Sequence, residues 1–494
     1  VNQIDSKPFI IEDNILKGKE VFYRSEFSSV GKFVFDQLKK KPDFIGQIDA
    51  MTDEKYTYEK MLERSVRCAI WMKSQDIVRG DIIAICSHNQ LDSAMPCFAS
   101  LYLGAIFNPL DSMMNAGNIP IPFVSSPVRA AGLDVKIVVF GRATAGLEEF
   151  ERIITDSVTD EDVENFRCED IEDPEETAVI MCSSGTTGLP KGVALSNRSI
   201  LNQLQYSTVF QMEGNSCLCF SPLYWITGTI LTFLHLHASV TKIVTPSFDE
   251  ELVCAIVDKY KRTRNLPFLE RLQVNWFILG SSMVNRLLKS AAYGITELGG
   301  IVTLQCETSK LGSGGRIVQN AQIKVIDTNT GRALGPNQQG EILLKNSSLM
   351  NFYYDNPKAT AETIDEEGWL HTGDLGYYDE NGEIFITDRL KELIKYRGYH
   401  ISPFEIESIL LSDPKVKEVA VVGQPHLEDD EHPIAFVVKG DGEETMLMEL
   451  VASKLSDFKH LRGGVRFVSA LPKSPSHKVR RKELRDLAKN ITVK

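Results

Sequence analysis

The sequence predicts a large layered α/β domain followed by a small α/β domain. Residues 1 to about 110 alternate between helix-like and strand-like stretches, which is typical of a layered α/β fold with a largely parallel sheet. Residues 399–494 show a similar alternation on a smaller scale. A chain of 494 residues is also too long for one ordinary hydrophobic core, so two domains are expected.

Hydrophobic periodicity predicts the individual elements. In the first part, the spacing of apolar residues predicts helices over 30–39, 58–73 and 93–103, and a buried strand over 81–86. In the last part it predicts helices over 403–411 and 446–456, and strands over 416–423 and 434–438. Asn197 is expected to cap a helix over 198–208. The turn Asp379-Glu-Asn-Gly382 predicts a β-hairpin over 377–386.

Composition argues against several classes of protein. A hydrophobic content of 43% and a charged content of 24% describe a globular chain, and no apolar run is long enough to cross a bilayer. The net charge of −13 argues against nonspecific nucleic-acid binding. The nine cysteines form no CxxC pair, which disfavours zinc ribbons and thioredoxin-type redox sites and fits a reducing compartment.

The stretch 183–192, Ser-Ser-Gly-Thr-Thr-Gly-Leu-Pro-Lys-Gly, has the groups needed to hold a polyphosphate. It follows an apolar run, 177–182, that predicts a buried strand. Glycines allow a loop to turn backbone N–H groups toward one point, hydroxyls add donors, and Lys191 adds a positive charge. The residues concerned are Ser183, Ser184, Gly185, Thr186, Thr187 and Gly188. The spacing of glycine and lysine in this stretch is not that of a Walker A loop. The density of its glycines and hydroxyl residues, and their order, favour phosphate binding over an exposed Ser/Gly turn.

This loop resembles the signature of the adenylate-forming enzymes, the family of acyl-CoA synthetases, 4-coumarate–CoA ligases and beetle luciferases. The stretches Tyr293-Gly-Ile-Thr-Glu297 and Gly368-Trp-Leu-His-Thr-Gly-Asp374 carry the same resemblance. The resemblance implies ATP and Mg²⁺ as ligands. It implies that Tyr293 stacks on adenine, Gly294 allows close approach, Thr296 binds the α-phosphate, Glu297 holds Mg²⁺ and Asp374 accepts the ribose hydroxyls.

Residues 387–399 resemble the domain junction of the same family. The resemblance implies a boundary between residues 1–388 and 389–494, a hinge at Asp388 to Lys391, and a mobile small domain. It also implies roles for the basic residues that follow: Arg389 on ribose or phosphate, Lys395 near the second half-reaction, and Arg397 and Gly398 beside the CoA arm. Residues 471–481 resemble the family's mobile loop, whose catalytic lysine is here Lys478.

The segment 221–228 resembles the lining of the family's acyl pocket. The resemblance assigns Trp225, Thr227 and Gly228 to that pocket, with Trp225 where a histidine is common. Burial statistics alone would favour simple packing for Trp225; the resemblance favours a wall of the acyl site. Residues 274–280 resemble the strand before a further conserved turn of the family, which adds Gly280 to the pocket.

Three stretches are shorter than the family pattern. Residues 115–131 lack a helix, 259–277 are shortened, and only 283–292 remain where relatives have a helix and a strand. All three fall within the sheet-building region. Internal deletions, and with them marginal stability, are therefore expected in the large domain.

The resemblance implies an ATP-dependent acyl-CoA ligase. Such an enzyme forms an acyl-adenylate from a fatty or arylacyl carboxylic acid and transfers the acyl group to CoA. A luciferin 4-monooxygenase-like enzyme and an inactive paralogue are the alternatives. Trp225 and the lack of a C-terminal peroxisomal signal favour the ligase, and the full set of motifs argues against inactivity. The expected partners are a small carboxylate, ATP and CoA, with no nucleic acid, and the expected compartment is the cytoplasm.

Overall fold

The computed structural model of the chain describes most of its length. It covers residues 8–22, 25–110, 136–142, 147–156, 158–183, 191–209, 216–246, 252, 255–256, 259, 292–305, 309–310, 312–439, 444–473 and 479–490. The three shortened stretches lie outside these residues, apart from Lys259 and Ala292.

Helices occur throughout the described chain. The α-helices are α1 Val30–Lys40, α2 Tyr58–Ser74, α3 Met95–Tyr102, α4 Phe150–Thr155, α5 Asp160–Asn165, α6 Asn197–Gln203, α7 Tyr206–Val209, α8 Ile226–Ala238, α9 Pro357–Thr363, α10 Pro403–Leu410, α11 Glu444–Lys454 and α12 Arg481–Lys489. Short 3₁₀-helices span Leu91–Ala94, Thr296–Leu298, Leu390–Glu392 and Asp457–Lys459.

The strands alternate with these helices along most of the chain. They are β1 Phe9–Glu12, β2 Ile15–Gly18, β3 Ile45–Asp49, β4 Lys55–Thr57, β5 Ile82–Cys86, β6 Ile106–Leu110, β7 Val138–Val139, β8 Glu148–Glu149, β9 Thr177–Ser183, β10 Lys191–Ser196, β11 Ser216–Cys219, β12 Thr241–Val244, β13 Ala292–Ile295, β14 Gly300–Leu304, β15 Arg316–Ile317, β16 Ala321–Ile326, β17 Gly340–Asn346, β18 Phe352–Tyr353, β19 Leu370–Tyr378, β20 Ile384–Arg389, β21 Ile394–Tyr396, β22 Tyr399–Ile401, β23 Val416–His426, β24 Asp430–Lys439 and β25 Gly464–Val468.

The sheets of the large region are mixed, so the prediction of a largely parallel sheet is correct only in part. In the order β18-β10-β9-β6-β5, the pairs β5–β6 and β6–β9 are parallel, but β9–β10 and β10–β18 are antiparallel. The order β1-β2-β16-β17-β19-β20 is antiparallel throughout. Periodicity reports which face of a strand is buried and not the direction of its neighbour, which is why the sequence missed this.

The helices predicted from periodicity are present, except that the single helix predicted over 198–208 is divided into α6 and α7, and two further details differ. The predicted helix 93–103 is a 3₁₀ turn followed by α3, and α3 is buried on every side, as its apolar composition requires. Ser196, and not Asn197, caps α6, because the Ser196 hydroxyl accepts from the N–H of Ser199. The Asn197 side chain instead accepts from the N–H of Val30.

The C-terminal region has its own sheet with helices on both faces. Because successive side chains of a strand alternate, Val419 and Val421 face one cluster with α10 and α11, whereas Ala420 and Val422 face another with α12. The main core of residues 9–384 is a separate cluster. A small α/β domain after a large one is therefore confirmed. Across the described chain, no helix combines the length and the apolar character needed to span a membrane.

Packing between α1 and α3 leaves no room for a side chain at Gly31. A methyl group there would lie 2.1 Å from the carbonyl oxygen of Leu101. We expect Gly31→Ala to lower the urea midpoint of the large region, because overpacking costs about 1–3 kcal/mol and exceeds the gain of about 1 kcal/mol in helix propensity.

Gly335→Ala is the matched control, since its nearest neighbour would be Asn14 Oδ1 at 3.3 Å and its φ is not positive. Equal midpoints for Gly31→Ala and Gly335→Ala, measured by intrinsic fluorescence, would contradict this account of the contact.

Candidate functional site

The loop predicted to bind a polyphosphate joins two antiparallel strands, β9 and β10. β9 has four consecutive buried residues, Ala178–Met181, as its apolar run predicts, and its last residue, Ser183, is the register partner of Lys191 at the start of β10. Residues 184–190 lie outside the described chain, so Ser184, Gly185, Thr186, Thr187 and Gly188 remain sequence predictions. The pairing of Ser183 with Lys191 nevertheless fixes the two ends of that loop side by side.

Lys191, Tyr353 and Glu297 form one cluster at the end of this hairpin. The ammonium of Lys191 lies 4.6 Å from the centre of the Tyr353 ring, within range of a cation–π contact. The Tyr353 hydroxyl donates to Glu297 Oε1 at 2.8 Å. Burial, and then the nearby charge of Glu297, raise the pKa of Tyr353, so this phenol stays a donor at neutral pH.

Tyr353 is a residue of this candidate site that sequence reasoning missed. It lies on β18, which pairs with β10 through the partners Val193 and Tyr353. No motif marked it, because its role depends on strand pairing between residues far apart in sequence. The run of three aromatic residues at 352–354 was the signal that could have found it.

Asp374 is the centre of a second cluster. Its side chain is almost fully buried on β19, where Oδ2 accepts from the Tyr293 hydroxyl at 2.6 Å and Oδ1 pairs with Arg389 Nε at 2.9 Å. Arg389 is the register partner of Asp374 on β20. Burial first, and then the charge of Asp374, raise the pKa of Tyr293. The role of Asp374 as a ribose acceptor stays a prediction; among the described residues each carboxylate oxygen has one such partner, and an oxygen of this kind can accept a second hydrogen bond.

A short 3₁₀ turn joins the two clusters. Tyr293 lies on β13, four residues before Glu297, and the turn Thr296–Leu298, which contains Glu297, contacts β9 and β10. Gly294 has a structural reason to be glycine, since a Cβ there would lie 2.2 Å from the carbonyl oxygen of Gly300. The structure therefore brings together the described parts of the three sequence motifs predicted to bind a nucleotide.

The segment predicted to line the acyl pocket, 221–228, runs from the residues before α8 into the first turn of that helix. Trp225 is the partly buried residue just before that helix and packs edge-on against Tyr224, with ring centres 5.6 Å apart. Thr227 is in the first turn and partly buried. At Gly228 a Cβ would lie 2.1 Å from the carbonyl oxygen of Pro222, so only glycine allows this turn to pack on the helix. Gly280 lies outside the described residues.

The predicted hinge residues contact both sides of the junction. Asp388 Oδ2 accepts from the Ser402 hydroxyl at 2.5 Å, at the start of α10. Lys391 is exposed at the surface, but partial loss of solvent around its ammonium, and then the charge of Arg389, lower its pKa. Glu392, the next residue, pairs with Arg481 at 3.0 Å and with Arg485 at 3.1 Å on α12.

The remaining predicted residues lie on the small sheet. Lys395 is exposed on β21, and its backbone N–H donates to Glu431. Arg397 and Gly398 both have positive φ and form a two-residue turn between β21 and β22, with Arg397 paired to Asp429. Lys478 falls in 474–478, outside the described residues, although a β-bridge between Lys473 and Val479 holds the ends of that segment together.

Comparison with known proteins finds one family along most of the chain. The family model described as AMP-binding enzyme matches residues 34–291 and 281–354, and that of the AMP-binding enzyme C-terminal domain matches 405–478. The two stretches of the first match overlap at 281–291, which coincides with most of the third shortened stretch, 283–292.

Curated relatives are similar over nearly their whole length. A luciferin 4-monooxygenase from Nipponoluciola cruciata is 30% identical over 544 aligned positions, covering 98% of this chain and 99% of that protein. A 4-coumarate–CoA ligase from Pinus taeda is 30% identical over 542 positions, covering 96% and 98%. Both alignments are longer than the 494 residues of this chain, so gaps open within it.

Among solved structures, ATP-bound MatB from Rhodopseudomonas palustris has a similar fold. It superposes with a TM-score of 0.79 at 22% identity, covering 92% of this chain and 99% of MatB. At that identity the likeness concerns the fold alone, and it agrees with the large and small domains described above.

Asp374→Ala should weaken ATP binding about tenfold to a hundredfold, because hydrogen bonds to a charged group contribute about 1.5–3 kcal/mol. Titration calorimetry with ATP measures the change. Tyr293→Phe is the control: it removes the hydrogen bond to Asp374 but keeps the ring, so affinity should change only a few-fold. Wild-type affinity in Asp374→Ala, with the fold intact by circular dichroism, would refute the ribose assignment.

Proposed function

This chain belongs to the AMP-binding enzyme family of adenylate-forming enzymes, and from that premise we propose that it is an ATP-dependent acyl-CoA ligase. The observation that supports this most directly is that the described parts of three motifs predicted to bind a nucleotide, 183–192, 293–297 and 368–374, meet around residues 293–297. The proposed substrates are a fatty or arylacyl carboxylic acid, ATP and CoA.

In the first step, a carboxylate oxygen of the acid attacks the α-phosphorus of ATP. The bond from that phosphorus to the bridging oxygen of pyrophosphate breaks, and an acyl-adenylate forms. No side-chain nucleophile is needed, so positioning and charge stabilisation account for the catalysis. We assign that stabilisation to Lys191, Thr186 and Thr187 of the hairpin loop, and to Lys478.

Nucleotide binding is assigned to the two clusters. Tyr293 would present its ring to adenine while its hydroxyl holds Asp374, and Asp374 would face the ribose with Arg389 beside it. Thr296 lies one residue before Glu297 in the connecting turn, and we assign its hydroxyl to the α-phosphate. The contact between Lys191 and the Tyr353 ring would be exchanged for a phosphate when ATP binds.

Glu297 fits a magnesium ion. Oε1 accepts from Tyr353, and within the described chain no hydrogen bond engages Oε2, which leaves a hard oxygen donor of the kind that Mg²⁺ prefers. When bound, the ion would neutralise charge on the phosphate oxygens. Tyr353 would orient the carboxylate by holding its other oxygen.

In the second step, the CoA sulfur attacks the carbonyl carbon of the adenylate, and AMP leaves. We propose that residues 389–494 turn about Asp388 to Lys391 between the two steps, removing Lys478 and presenting Lys395, Arg397 and Gly398. The separate cores on the two sides of the junction support a rigid-body movement of this kind.

A luciferin 4-monooxygenase-like activity is the second candidate, favoured by the 30% identity to the luciferin 4-monooxygenase from Nipponoluciola cruciata. It would share the adenylation step and then use O₂ instead of CoA. Trp225, which stands where the family commonly has histidine, is the residue that favours the ligase. The two candidates therefore differ in the second half-reaction alone.

Lys478→Ala should lower carboxylate-dependent pyrophosphate release by orders of magnitude with little change in ATP affinity, because the lysine acts on charge that develops in the transition state. Lys482→Ala, at an exposed position of α12, is the control and should retain activity. Equal turnover in the two variants would remove Lys478 from the mechanism.

The function itself is tested with a panel of fatty and aromatic acids. ATP–pyrophosphate exchange should report adenylation, and mass spectrometry should detect an acyl-CoA when CoA is added. Light from luciferin and ATP, without any thioester, would favour the monooxygenase. No exchange with any acid by a folded protein would identify an inactive paralogue.

A further inference from the structure

A cluster of metal-ligating side chains lies at the tip of the β23–β24 hairpin, in the sheet of the small domain. His426 ends β23, His432 is near the start of β24, and Asp429 is in the turn between them. One ligand atom from each of the three residues lies within 4.8 Å of the other two. We propose that His426, Asp429 and His432 bind a divalent transition-metal ion, and that zinc suits this ligand set best.

The distances fit such a site. Asp429 Oδ2 lies 2.7 Å from His432 Nε2 and 3.6 Å from His426 Nδ1. Around tetrahedral zinc, with metal–ligand distances of about 2.0–2.2 Å, neighbouring ligand atoms are about 3.3 Å apart. The observed separations lie on either side of that value. The imidazole rings are stacked with centres 3.9 Å apart, so binding requires a rotation of the more exposed ring, His426.

Burial supports a binding role over a simple surface contact. Asp429 and His432 are more than nine-tenths buried, so two of the three proposed ligands are shielded from bulk water. Arg397 already pairs with Asp429 Oδ1, so neutralising this carboxylate does not require two histidines as well. His426 is about one-third exposed, which gives an ion a route from solvent and leaves a fourth coordination position for water.

The local charge also favours a cation. The hairpin carries four successive acidic residues, 428–431, against the single guanidinium of Arg397. Arg397 holds the carboxylate by the oxygen that faces away from His432, so it would orient Asp429 as a ligand, in the way outer hydrogen bonds orient metal ligands. Two imidazoles and one carboxylate are a ligand set that zinc accepts.

The test is zinc binding to the full chain after treatment with a chelator, without nucleotide or magnesium. Titration calorimetry should show one tight equivalent of Zn²⁺, with affinity at least tenfold weaker in His426→Ala and in Asp429→Asn. His460→Ala is the matched control, because His460 has nearly the same exposure, 29% against 30%, and a carboxylate, Asp457, at 3.5 Å. It should bind zinc as the wild type does.

Free thiols elsewhere in the chain are the competing zinc ligands. X-ray absorption at the zinc edge should show nitrogen and oxygen ligands at about 2.0–2.2 Å and no sulfur at about 2.3 Å. Sulfur ligands, a wild-type affinity in His426→Ala, or no tight equivalent at all would each overturn the proposal. His426 is partly exposed, so its truncation should leave the urea midpoint unchanged; this check separates lost binding from lost folding.

Discussion

The site depends most on one buried carboxylate, Asp374. A buried ionised group must have partners, and Asp374 takes one from each of two directions: the Tyr293 hydroxyl and the Arg389 guanidinium. Tyr293 belongs to the three-stranded sheet, whereas Asp374 and Arg389 belong to the six-stranded sheet. The carboxylate therefore fixes one sheet against the other. It also holds Arg389, the last residue of β20, after which the chain continues into the small domain.

Tyr353 performs a comparable task with a neutral group. Its hydroxyl donates to Glu297 while its ring faces the ammonium of Lys191. In the described chain no ion pair joins Lys191 directly to Glu297, so neither charge is neutralised by a direct contact with the other. Under the proposed function this separation matters, because the lysine is needed for phosphate and the carboxylate for a metal ion. The ring keeps opposite charges close without neutralising them.

Local signals could be predicted from the sequence, and pairings between distant residues could not. The helices at 30–40 and 58–74 and the hairpin around Asp379 follow from periodicity and turn residues. The Asp374–Tyr293 bond and the role of Tyr353 depend on which strands become neighbours, which no local pattern specifies. The same holds for His426 and His432, which a tight hairpin brings together across its turn.

The junction shows how a domain movement would be limited. The ion pairs of Glu392 with Arg481 and Arg485 lie wholly beyond the proposed hinge and would move with the small domain. The bond from Ser402 to Asp388 crosses the hinge and would have to break. A hydrogen bond to a charged group contributes about 1.5–3 kcal/mol, which favours the present arrangement by roughly tenfold to a hundredfold. Ligands can shift that balance only through their different affinities for the two arrangements. Ser402, which contacts no substrate in the proposed mechanism, would thus help to set how often the second half-reaction becomes possible.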